Sequence, residues 1–147
     1  MVAGYSGTPL WKKLGLRPGG QLTLLDAPPD FSVGGLPEGA TVARGAPATL
    51  EAHAQGEVVL AFFGELASLR GALPALGEKV FPDGAMWIAW PRRAARHESD
   101  ITDNEIRGLA LPLGLVDVKV AALSEDWSGL RLVWRRENRH ARGLPRE

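Results

Sequence analysis

The sequence predicts an α/β fold: a single three-layer domain over residues 1–134, with a mostly parallel sheet and a C-terminal antiparallel hairpin. Three observations carry that prediction. Two runs, VVLAFF at 58–63 and AMWIAW at 85–90, are apolar on both alternating faces, which is the pattern of central strands covered on each side. Between them Leu66, Leu69, Leu73, Leu76 and Val80 form a stripe at helical spacing. Near the C-terminus two further runs are separated only by the polar stretch 124–129, a hairpin spacing.

In chain order, Leu10, Trp11 and Leu14 form the inner side of a short helix packed on the sheet, with Lys12 and Lys13 facing solvent. QLTLL at 21–25 lies between Pro18-Gly19-Gly20 and Pro28-Pro29, so it is a brief strand bounded by turn formers. ATVAR at 40–44 is a second, weaker strand. The helix over 65–80 contains Gly71 and Pro74 and is expected to bend or break near the proline. Thr102 and Glu105 fit a capping box, which starts a second helix that ends before Gly114. Val116, Val118 and Val120 alternate with Asp117 and Lys119, predicting a strand with one buried and one wet face. Leu130–Trp134 returns beside it, and residues 135–147 are polar, without periodicity, and expected as a mobile tail.

Composition excludes several classes of function. A chain of 147 residues that is 45% hydrophobic can bury a core without metal or disulfide support. It has no cysteine, which removes structural disulfides, iron–sulfur clusters, thiolate zinc sites and cysteine nucleophiles together. Seventeen basic and seventeen acidic residues cancel, so the long-range positive field of a nucleic-acid binder is missing. No stretch approaches the roughly 20 apolar residues of a membrane span, and the N-terminal stretch has no signal-peptide core, so a cytoplasmic location is expected.

Three blocks carry a family likeness: GYSGTPLWKKLGLRPG at 4–19, FPDGAMWIAWPRR at 81–93 and GLVDVKVAALSEDWSGLRLV at 114–133. They resemble a family of short bacterial proteins known only as a domain of unknown function. PDGAMWIAW, followed by a helix and a closing hairpin, is more distantly similar to the second half of the Rossmann-like fold of S-adenosylmethionine-dependent methyltransferases. That likeness implies a glycine-rich turn after the first strand, an immediate helix, and an acid at the end of the second strand for the ribose hydroxyls. The residues depart from each of these. Strand 21–25 runs into DAPPDFSVGGLPEG, where Pro28 and Pro29 have no N–H to donate, and the second strand ends in Arg44.

Candidate chemistry concentrates after the strand at 85–90. Arg92, Arg93 and Arg96 follow its C-terminal end, where open α/β sheets take their ligands, and the helix start at Thr102 adds free amides. With Arg44 they are the candidate anion site. Glu98, Asp100, Asp103 and Glu105 balance the four arginines from Arg92 to Arg107, so the competing reading is a loop that satisfies itself. GYSG lacks the second glycine of a hydrolase elbow, because residue 8 is threonine, and Ser6 is not read as a nucleophile. His53, His97 and His140 have no metal-ligand spacing. Trp87 and Trp90, at odd spacing, point to opposite faces of one strand. Trp127, placed in the hairpin turn, and Trp134 are the candidate interface residues for a homodimer or protein partner.

A sheet without a coherent catalytic constellation leads to a non-catalytic binding or interaction module with no cofactor and no metal. The alternative is a sensor of an anionic or nucleotide-like molecule, or a divergent methyltransferase-like enzyme.

Overall fold

The computed structural model describes residues 8–45, 58–92 and 99–138. Its strands are β1 (Gln21–Leu25), β2 (Thr41–Gly45), β3 (Val58–Phe62), β4 (Ala85–Pro91), β5 (Leu115–Ala122) and β6 (Trp127–Trp134). They form one sheet in the order β2-β1-β3-β4-β6-β5. β1 pairs in parallel with β2 and β3, and β3 with β4, while β6 is antiparallel to both β4 and β5. The two doubly apolar runs therefore stand in the middle, buried on both faces, as their composition requires.

One face is covered by α2 (Leu66–Val80) and α3 (Asp103–Ala110). Leu69, Leu73, Leu76 and Val80 of α2 and Ile106 of α3 pack there on Met86, Ile88, Trp90 and Leu132. Among the described residues the other face is covered more thinly, by α1 (Leu10–Leu14) and by the irregular segment from Asp26 to Ala40. One indole ties each layer to the sheet. Trp87 donates to the Leu14 carbonyl at 3.0 Å, under α1, and Trp134 donates to the Gly77 carbonyl at 2.8 Å, in α2. Gly77 permits that approach, since a Cβ there would lie 3.3 Å from the Trp134 ring. Trp90 joins the α2 side and Trp87 the α1 side, as the odd spacing predicts.

The helix caps follow the sequence. Thr102 Oγ1 accepts from the Glu105 amide at 3.2 Å. α3 tightens into a 3-10 turn at Leu111–Leu113 and stops at Gly114, whose φ of 102° suits glycine. The Arg107 guanidinium, 2.8 Å from Asp117 and 3.0 Å from Asp103, ties α3 to β5. Its hydrogen bond holds the Asp117 carboxyl below its ordinary value, and the same bond raises Arg107.

Four expectations are corrected. α2 runs unbroken through Pro74, because the proline lies on the exposed side and the leucine stripe stays on the sheet. Lys13 does not simply face solvent; its ammonium donates to the Ala122 carbonyl at 3.2 Å. The β5 valines are not a buried face: Val118 and Val120 are each 50% exposed. β5 is an edge strand, and a register shift between Asp117 and Lys119 leaves Val118 without a partner residue on β6. Finally, β6 begins at Trp127 rather than Leu130, since the turn is the short Ser124–Asp126 stretch, closed by Leu123 N–H to the Trp127 carbonyl at 2.8 Å. Of the expected tail, 135–138 are attached to the fold, with Arg135 N–H and Asn138 Nδ2 both donating to the Gly114 carbonyl at 3.0 and 3.1 Å. Residues 139–147 lie outside the described residues.

Candidate functional site

Ligands of open α/β sheets bind beyond the C-terminal strand ends, where neighbouring connections diverge to opposite sides. Here β1 leads to β2 on one side, and β3 takes up its other side, so the divergence lies between β1 and β3. β3 ends in Phe63-Gly64-Glu65, with Glu65 as the N-cap of α2. Beside it the chain re-enters at Ser99 and leads into α3. Ser99 Oγ donates to the Gly64 carbonyl at 3.0 Å and accepts from the Ile101 amide at 3.2 Å. Asp100 accepts the first amide of α2, from Leu66, at 2.8 Å.

Two adjoining hollows share Ser99. One, open and of about 590 Å³, is lined by Gly64, Glu65, Ala67 and Asp100; the other, of about 390 Å³, by Trp90, Thr102, Asp103, Asn104 and Ser128. Both helix N-termini at this rim are already capped from within the chain, α2 by Asp100 and α3 by Thr102. An anion would find those amides taken and acids beside them. Glu65 makes no side-chain cap bond and lines the open hollow. Among the described lining residues there are three carboxylates and no lysine or arginine.

The predicted arginine site is not brought together among the described residues. Arg92 is drawn to the hairpin: its guanidinium donates to the Ser124 carbonyl at 3.0 Å and its amide to the Asp126 carbonyl at 2.8 Å. Arg44 is three strands away on the β2 edge and donates to the Phe31 carbonyl. Arg93 and Arg96 lie outside the described residues, as do Ser6, His53, His97 and His140. The two interface tryptophans do not form a common patch. Trp134 is 2% exposed and committed to α2, while Trp127 folds back onto Phe62, with ring centroids 4.9 Å apart. Glu65 is the residue that sequence reading passed over. Its signal was present, an acid following a glycine just beyond the end of a central strand.

The adenosyl cradle implied by the fold does not fit the residues present. β1 is followed by Asp26, with φ at 56°, and then Pro28-Pro29, with no helix before β2. Phe31 sits over the end of β3, edge-to-face with Phe62 at 4.8 Å, so a chain of three aromatic rings fills the α1 side of the crevice. Among the described residues no group of three His, Asp or Glu could hold a metal ion, and no helix is long and apolar enough to cross a membrane.

No protein-family model and no curated protein matches the sequence. Solved structures do match in fold. A S-adenosylmethionine-dependent methyltransferase from Aquifex aeolicus aligns with a TM-score of 0.53 at 12% identity, over 84% of this chain and 86% of its own. A possible exported protein from Bordetella parapertussis gives 0.55 at 9%, over 84% of this chain and 65% of its own. LepI, solved with S-adenosylhomocysteine and a substrate analogue, gives 0.54 at 12%, over 86% and 39%. The architecture is therefore the mixed α/β, Rossmann-like methyltransferase fold, and the chain spans less than two thirds of two of these three proteins.

Proposed function

We propose that the chain is a divergent methyltransferase-like domain that binds a nucleoside-type molecule, uncharged or cationic, at the C-terminal ends of β3 and β4. The lining carries this reading: hydroxyls of Ser99, Thr102 and Ser128 and carboxylates of Glu65, Asp100 and Asp103, the last shared with Arg107, beyond the C-terminal ends of β3 and β4. Carboxylates accept bonds from sugar hydroxyls and repel phosphates. The similarity to the Aquifex methyltransferase supports an adenosyl compound as the ligand class. The contacts would come from the β3 and β4 side, since the β1 side is filled by Phe31.

Thermal shift with adenosine, S-adenosylmethionine and S-adenosylhomocysteine tests it, with AMP and ATP as anionic controls. An adenosyl compound at a hundred times its Kd should add about 2.7 kcal/mol, whereas AMP and ATP should do nothing. Glu65→Ala should weaken binding at least tenfold. Silence with all three adenosyl compounds, or equal binding by the variant, ends the proposal. If S-adenosylmethionine binds, transfer of a labelled methyl group separates an enzyme from a binding module.

A second reading, self-association through the sheet edge, is favoured by Val118 and Val120, half-exposed on the outer strand. Light scattering decides it: Val118→Lys should dissociate a dimer, and a wild type monomeric at high concentration excludes one.

A further inference from the structure

The opposite end of the sheet holds a different kind of site. At the N-terminal ends of β1, β3 and β4 there is a cavity of about 250 Å³, lined among others by Gly15, Arg17, Gln21, Asp83 and Arg131. Three separate stretches meet there: the end of α1, the turn before β4, and the middle of β6. Arg131 is paired in register with Trp87, so it leaves the sheet on the α1 side and runs beneath Gly15. A Cβ at Gly15 would lie 3.4 Å from Arg131 Nη2, so the glycine leaves space over the guanidinium.

Arg131 Nε is buried without a hydrogen-bond partner, and no ion pair with Arg131 is found among the described residues. Burial pushes the guanidinium below its ordinary value, the direction expected where desolvation has no counter-charge. Leaving a buried charged donor unsatisfied is costly, and a bound anion removes that cost. Among the described lining residues Arg17 adds a second positive charge and Asp83 is the one carboxylate, a net charge of one positive by count. A guanidinium fork matches the two oxygens of a carboxylate or phosphate.

We propose that this cavity is a binding site for a small oxyanion, a carboxylate or a phosphate, with Arg131 as the primary contact and Arg17 as the second. It is independent of the crevice at the other end of the strands. The test is titration calorimetry on the full chain with acetate, inorganic phosphate and glycerol phosphate. Saturable binding of at least one is expected, and the preferred anion identifies the group recognised. Arg131→Leu should weaken it at least tenfold while the melting temperature of the ligand-free protein holds or rises, because an unpaired, partly buried charge is gone. Asp83→Asn should tighten it roughly five- to tenfold, the effect of removing one nearby negative charge at intermediate dielectric. A loss of fold cannot imitate that gain. Glu65→Ala should leave it unchanged. No saturable binding at 10 mM of any of the three anions (roughly the weakest affinity a paired guanidinium should give), equal binding by Arg131→Leu, or no tightening by Asp83→Asn overturns the proposal.

Discussion

Asp117 shows how one side chain links an edge strand to a helix and to pH. Its carboxyl sits below the ordinary 3.8 because Arg107 hydrogen-bonds the charged form. A carboxyl depressed in the folded state contributes stability that is fully present above its unfolded value and is lost as pH falls through the lower folded one. Asp117→Asn should therefore cost no more than about 1 kcal/mol at neutral pH, since the pair is partly solvated. Below pH 3.8 the two proteins should converge, as read by urea unfolding at a series of pH values. Residue-level features were legible where they depended on local pattern, as with Trp87 and Trp90 on opposite faces. They were hidden where a partner is distant in sequence. Nothing near Arg92 announces that Ser124 will take its guanidinium, and nothing near Arg131 announces that its Nε will find no partner among the described residues.

The helices follow their caps and stripes more closely than their breakers. Thr102 holds the start of α3, and Thr102→Ala should cost about 1 kcal/mol. Gly71 in α2 and Gly108 in α3 have nothing within 4 Å of an added Cβ, so alanine at either should raise stability by about 0.5–1 kcal/mol. Chemical unfolding of the three variants checks both signs. Of the bend or break expected at Pro74, the break does not occur, for a physical reason: one missing helical bond on an exposed side is outweighed by four buried contacts on the other. The alternation of Val116, Val118 and Val120 misled because period two identifies a strand without saying whether anything covers it. α3 meets the edge strand at Asp117, and past that point Val118 and Val120 stay half-exposed.

Across the whole molecule, the order of apolar runs was enough to read a parallel sheet closed by a hairpin, and the solved methyltransferase structures share that architecture. The crevice was less legible because its lining comes from separate parts of the chain, 64–67, 90–91, 99–104 and Ser128, which only the fold brings side by side. Among the described residues the two covering layers are unequal, with 23 helical residues in α2 and α3 against five in α1. The thinner layer should open at lower free energy. Trp87 and Trp134, each hydrogen-bonded to the layer above it, make that inequality visible as a pair of built-in spectroscopic reporters. In protein labelled with 5-fluorotryptophan, the fluorine resonance of Trp87 should move at a lower urea concentration than that of Trp134. Simultaneous movement would mean that the molecule melts as one unit. Early movement of Trp87 would mean that the α1 side is a door, hinged on a single indole.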